Sequence, residues 1–280
     1  MTLPIPRPLP DQAGLPSHPE RMTPCVAQSG GYRTLQFDLV AIQSRMALED
    51  PLQLVLSYTR SMLAFRLFVP DPRQVVMVGL GGGSLAKYCY HAMPDTMISV
   101  CEIDARVIAL REQFHVPPDD ERFRVICADG ADYLRQREAD IDVLLIDGFD
   151  QRGIHPSLCT EAFYRQCLDG LTANGIAVFN LLGTDDDAGR HLHRLCKVFA
   201  DKVVVIRAED CANYIVLASA SGQLRQTPDE VVLAQGALME AVTGYGFSQY
   251  AHRLIVNRRL YTQPAQLAEM FDTLHRKRGA

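Results

Sequence analysis

From Val75 onward the chain repeats one device: a short apolar run, a stretch long enough for a helix, then another short apolar run. The runs are Val75–Gly79, Ile98–Glu102, Phe123–Cys127, Val143–Ile146, Gly175–Asn180, Val203–Arg207 and Tyr214–Ser219. Short continuous apolar runs fit strands buried on both faces, as in a parallel sheet. The gaps between the first five runs hold crossover helices, which parallel neighbours require. The last two runs lie close together after a helical stretch at Asp187–Phe199, and they fit an antiparallel hairpin at the sheet edge. The expected class is therefore α/β, with a mostly parallel, doubly wound, seven-stranded sheet.

The flanks differ from this middle. Seven of the 16 prolines fall before residue 25, so residues 1–30 read as a Pro-rich, extended segment. Residues 31–70 read as a small β region and a connecting helix: Tyr32–Phe37 alternates, Val40–Ser44 follows, and Pro51–Phe68 carries helical spacing. Residues 71–220 form the main domain. Residues 221–280 read as helical, with a break at Gly244–Gly246.

Net charge is −5 with a pI of about 5.9, which lacks the basic field of a nucleic-acid binder. The basic cluster Arg276-Lys277-Arg278 reads as a solvated tail. No apolar run reaches the roughly 20 residues of a bilayer span, and no signal sequence opens the chain, so no membrane partner and a cytoplasmic location are expected. The eight cysteines include no C-x-x-C pair and fit a reducing compartment. The histidines lack metal-ligand spacing, since His191 and His193 do not share a helix face; no metal is expected.

Four features carry chemistry. A strand runs straight into Gly79, Gly81, Gly82 and Gly83, followed by Ser84 and a helix, which suits close approach of a ligand to backbone. Glu102 closes the second strand 23 residues after Gly79, where a carboxylate reaches ribose hydroxyls; Asp104, just beyond, suits a helix cap. Asp129, before Gly130, follows the third strand and is a candidate both for the adenine amino group and for capping the next helix. Asp147 ends the fourth strand, with Asp150 three residues on; two carboxylates there could hold a cationic amine and accept its proton.

Together these residues resemble the spermidine synthase family. The stretch Asp147-Gly-Phe-Asp150-Gln-Arg-Gly153, then Ser157-Leu158 and Thr160-Glu161-Ala-Phe163-Tyr164, is similar to that family's aspartate loop and Thr-Glu-x-Phe-Tyr helix. Gly81-Gly82-Gly83 resembles its glycine loop, and Glu102-Ile103-Asp104 and Asp129-Gly130 resemble its nucleoside-binding strand ends. The resemblance spans roughly residues 30–220 and implies a class I methyltransferase-like Rossmann fold with an N-terminal β segment. It implies transfer of an aminopropyl group from decarboxylated S-adenosylmethionine to an amine or polyamine, with methylthioadenosine as product, and a homodimer. By resemblance Asp147 deprotonates the amine and Asp150 helps to bind it. Glu102 and Ile103 lie at the ribose and Asp129 and Gly130 at the adenine, while Gln43 and Tyr58 approach from the N-terminal region.

The departures fall at the amine-binding parts. Ser84 replaces the loop acid that grips the donor amine, which removes a charge-assisted contact of about 1.5–3 kcal/mol. The acceptor-side Thr-Tyr-Pro segment has no match in Ala208–Asn213, where Glu209 or Asp210 is the candidate for negative charge. Ser84 motivates a second reading, a methyltransferase using intact S-adenosylmethionine. The altered acceptor segment motivates a third, a non-catalytic nucleoside-binding protein. Gly81-x-Gly83-x-x-Ala86 also fits a dinucleotide fingerprint, but no hydride-transfer constellation accompanies it.

Overall fold

A computed structural model describes residues 23–37, 42–150, 153–200, 202–261 and 266. The basic cluster at 276–278 and residues 1–22 of the Pro-rich segment lie outside the described residues. An antiparallel sheet of β1 (Cys25–Ser29), β2 (Tyr32–Gln36) and β3 (Ile42–Ala47) comes first. Gly30 and Gly31, at φ of 56° and 81°, form the two-residue β1–β2 turn that needs positive φ at both positions. The sheet thus starts at Cys25, inside the segment expected to be merely extended. Leu35 and Met46 point from it into the main core.

The helix expected over Pro51–Phe68 is shorter and tighter. α1 covers Ser57–Met62 and runs into a 3-10 turn at Leu63–Leu67. Asp50 accepts from the Leu52 and Gln53 N–H groups, by side chain and carbonyl respectively, and so fixes a turn around Pro51. Arg60 then holds the Leu54 and Val55 carbonyls at 2.7 and 3.0 Å, outside any helix.

The main sheet alternates with helices in the expected order: β4 (Gln74–Val78), α2 (Ser84–Ala92), β5 (Met97–Glu102), α3 (Ala105–Ile108), β6 (Phe123–Cys127), α4 (Gly130–Leu134) and β7 (Ile141–Ile146). A two-residue ladder of β8 (Phe149–Asp150) and β9 (Gly153–Ile154) follows, then α5 (Glu161–Gly170), β10 (Leu171–Leu182), α6 (Ala188–Phe199), β11 (Val203–Arg207) and β12 (Asn213–Ser219). The seven strands lie in the order β11-β12-β10-β7-β4-β5-β6. β10, β7, β4, β5 and β6 run parallel to one another, whereas β12 runs antiparallel to both β10 and β11.

The continuous apolar runs make sense once both faces are seen. Val75, Met77, Val143 and Leu145 enter one core, with the 57–67 segment and the C-terminal helices; Val76, Val78, Leu144 and Ile146 enter the other, beneath α4, α5 and α6. Burying each such side chain is worth about 1.5–3 kcal/mol. Beyond α7 (Gln223–Gln226), α8 (Asp229–Thr243) and α9 (Phe247–Leu260) form a hairpin that turns at Gly244, φ 71°. Asp229 pairs with Arg258 and Arg259 across that hairpin. Leu254 packs inward, while Val256 and Leu260 are exposed. No helix among the described residues is long and apolar enough to cross a membrane.

Chain order places a switch at the centre of the sheet. β5 and β6 lie to one side of β4, β7 and β10 to the other. The loops leaving β4 and β7 therefore diverge and open a crevice at their carboxyl ends.

Candidate active site

A cavity of about 400 Å³ fills that crevice, within the size range of small-molecule sites. Its wall gathers the ends of β4, β5, β7 and β10, the loop after β6 and the start of β12, and β3 and α1 contribute residues from outside the parallel sheet.

The glycine loop is shaped by what surrounds it. Gly79, at φ 99°, sits so close to the next strand end that a Cβ would meet the Asp147 carbonyl oxygen at 2.3 Å. Gly79 and Gly81 line the cavity together with Ser84, the first residue of α2. Gly82 and Gly83, expected at the ligand, do not reach the wall. A Cβ on Gly82 would strike Ser44 at 2.7 Å, and one on Gly83 would strike Val116 at 2.3 Å, so these glycines serve packing of β3 and the 111–116 turn against the loop.

Glu102 is tied to that loop. One carboxylate oxygen accepts from the Leu80 N–H at 2.9 Å, and the other from the Asp104 N–H at 2.9 Å. Burial pushes its carboxyl up, and these donors and the Gly81 N–H pull the other way. Asp104 caps α3 by accepting from the Arg106 N–H, and it pairs with the Arg106 guanidinium at 2.7 Å. Asp129 caps α4, accepting from the Ala131 N–H at 2.7 Å, and also lines the cavity. Gly130 beside it presses on Val78, where a Cβ would lie 2.4 Å from a methyl group. Ile103 completes this end.

The other end centres on Asp147. It is held at the β7 terminus by its N–H donating to the Val78 carbonyl at 2.9 Å. The Asn180 side-chain amide donates to its carboxylate at 2.8 Å, and the Tyr58 hydroxyl hydrogen-bonds to it as well. Burial raises the Asp147 carboxyl above its ordinary value, opposed by these two donors. Burial and the Asp147 charge raise Tyr58 far above its usual value, so its proton stays on and the hydroxyl donates. Asn213 donates in turn to the Asn180 oxygen at 2.9 Å. Gln43 reaches the same cavity from β3. Asp150 ends β8, and its side chain lies outside the described residues.

Sequence reasoning missed Asn180, Asn213 and His155, all three of which line the cavity. Asn180 carried a signal: it closes an apolar strand at the same sheet end as Asp147. Asn213 carried none, because its strand runs the other way. Glu209 and Asp210 do not reach the cavity wall; the Glu209 carboxylate faces Arg60 at 3.9 Å instead.

Comparison with known proteins places these residues in context. The profile of the spermine/spermidine synthase domain matches residues 56–182. A polyamine aminopropyltransferase of Neisseria meningitidis serogroup A is 36% identical over 208 residues, covering 74% of this chain and 79% of the relative. One from Chromobacterium violaceum is 34% identical over 234 residues, covering 82% and 88%. The crystal structure of a probable spermidine synthase from Corynebacterium glutamicum shares the fold at a TM-score of 0.63 and 19% identity, over 76% of this chain and 83% of that one.

Proposed function

The chain belongs to the polyamine aminopropyltransferase family, and from that premise we propose that it moves an aminopropyl group from decarboxylated S-adenosylmethionine to a small amine. The observation that carries this reading is a buried carboxylate, Asp147, held by Tyr58 and Asn180 in the same cavity as Glu102 and Asp129. The nucleoside fits the end formed by the glycine loop, with Glu102 at the ribose and Asp129 toward the adenine. The sulfonium then faces Asp147.

An amine arrives as an ammonium ion, which has no lone pair to attack with. Asp147 pairs with it and takes one proton. The freed nitrogen lone pair attacks the aminopropyl carbon bonded to sulfur. The carbon–sulfur bond breaks with its electrons on sulfur, which leaves neutral methylthioadenosine. The raised proton affinity of Asp147 brings it closer to working pH and makes it a better base than an exposed aspartate. Holding nitrogen, carbon and sulfur in line supplies much of the remaining acceleration. Asp150, close by in sequence, supports binding of the amine. Ser84 grips the donor amine less tightly than a carboxylate, so a donor KM raised roughly 10- to 100-fold above that of family members with the acid is expected.

The test is calorimetry of decarboxylated S-adenosylmethionine, intact S-adenosylmethionine and methylthioadenosine, followed by an amine screen with product identification. Tighter binding of the decarboxylated donor and release of methylthioadenosine support the reading. S-adenosylhomocysteine as the product would replace it with methyl transfer, and binding without turnover with any amine would leave a nucleoside-binding protein. Family membership also supports a cytoplasmic homodimer, for which the exposed Val242, Val256 and Leu260 offer apolar surface. Sedimentation equilibrium checks that state.

A further inference from the structure

We propose that Asn213 is a positioning residue: its side chain fixes the orientation of the Asn180 amide, and thereby decides that Asp147 meets an N–H donor rather than a carbonyl oxygen. The inference rests on the proposed role of Asp147 as the base. An asparagine amide has two ends of opposite polarity, and a half-turn about its last bond exchanges them. Asn180 is 4% exposed, so no bulk water settles the choice. Its oxygen accepts from Asn213 at 2.9 Å and its nitrogen donates to Asp147 at 2.8 Å. If the amide were reversed, both contacts would be unfavourable: two N–H groups would face each other, and an oxygen would face a carboxylate.

Asn213 is kept beside Asn180 because its own backbone is held twice. It opens β12 opposite Leu182 of β10, and its carbonyl accepts from the Ala208 N–H at 2.9 Å. The neighbouring Ala212 carbonyl accepts from the Gly183 N–H at 2.8 Å. The relay therefore enters from the antiparallel part of the sheet and ends on the parallel part. Hydrogen bonding to the charged form of an acid favours that form, so the relay keeps Asp147 available as a carboxylate against its burial. Among the described residues, the groups around Asp147 are Tyr58 from α1, with Cys211 beside that phenol, and Asn180 from β10. Glu102, Asp104, Asp129 and His155 line the same cavity.

The experiment is a four-member cycle of wild type, Asn213→Leu, Asn180→Ala and the double variant. Two properties are measured for each: the titration of the Asp147 carboxyl by carbon-13 NMR, assigned by its disappearance in Asp147→Asn, and the acid limb of kcat/KM. Asn213→Leu is expected to raise the Asp147 midpoint by about half a unit or more, and Asn180→Ala by about one unit. The double variant is expected to match Asn180→Ala alone, because Asn213 acts only through Asn180. A midpoint unchanged in Asn213→Leu, or effects that add in the double variant, would overturn the proposal. Should Asn213→Leu fail to fold in thermal melts, Asn213→Ala takes its place in the cycle. Absence of aminopropyl transfer in the wild type would defeat the functional reading alone, since the carboxyl titration reads the relay without turnover.

Discussion

The two ends of the cavity are built on opposite plans. At the end proposed for the nucleoside each acid is bonded to nearby backbone: Glu102 to the N–H groups of Leu80 and Asp104, Asp129 to that of Ala131. At the end proposed for the amine the acid is bonded to side chains from distant elements, Tyr58 and Asn180, with Asn213 behind Asn180. Backbone donors come with the fold, so the first end is as rigid as the strands that carry it. Side-chain donors can be exchanged one at a time, so the second end is where proton affinity is adjusted. That division suits a protein that recognises a fixed nucleoside and has to remove a proton from its partner.

The largest effect expected from breaking this comparison is at Asp147. Asp147→Asn should lower kcat/KM by a factor of about 10³ or more, since it removes the base, while leaving the methylthioadenosine Kd within a few-fold by calorimetry. The same change tests the energetic cost of the site. A carboxyl whose folded value lies above its unfolded value stabilises the fold below the unfolded value and loses that contribution as pH rises through the folded one. At neutral pH the ionised side chain is therefore a burden, and Asp147→Asn should raise Tm by about 2 °C or more, with the gain vanishing in acid.

Glu102→Gln ranks next, and its signature is reversed. A glutamine keeps a single acceptor oxygen and cannot serve both the Leu80 and Asp104 N–H groups. The methylthioadenosine Kd should weaken by roughly 10- to 100-fold, with Tm falling as well. Tyr58→Phe is expected to lower kcat/KM by about 10-fold with little change in nucleoside binding, because one hydrogen bond to the carboxylate is lost. Its acid limb should move upward, as removal of a donor that favours the charged form raises the Asp147 value. The smallest effect sharpens the reading of Asp129. Asp129→Asn keeps the cap and Asp129→Ala loses it, at about 1 kcal/mol in denaturant titrations. If both weaken nucleoside binding alike, the carboxylate acts on the ligand; if only Asp129→Ala does, it acts through α4.

The same contrast explains what could be read from the sequence. The sheet was legible because strands buried on both faces cannot alternate, and the runs at Val75, Ile98, Phe123 and Val143 do not. Glu102 and Asp129 were legible as cavity-lining acids because Glu102 ends its strand and Asp129 lies just past the next one, and the chain order of a parallel sheet puts those ends together. The amine end was legible only at Asp147. Tyr58 came from family resemblance, since 89 residues separate it from Asp147 and no period links them. Asn213 stayed hidden because it opens an antiparallel strand, whose start, not its end, meets the crevice. Glu209 misled because its charge is satisfied by Arg60, a contact that sequence spacing does not encode.

The close approach of Gly79 to the Asp147 carbonyl has a consequence for how such a protein can change over generations. The glycine turn after β4 and the strand end that carries Asp147 touch where a single methyl group would not fit. A drift in either one displaces the other, so donor and acceptor preferences cannot be inherited as separate modules along this contact. Variation is left to positions that touch only one of the two, and Ser84, which follows the turn at the start of α2, is such a position: it is a place where descendants of one ancestor could part in substrate while keeping the reaction.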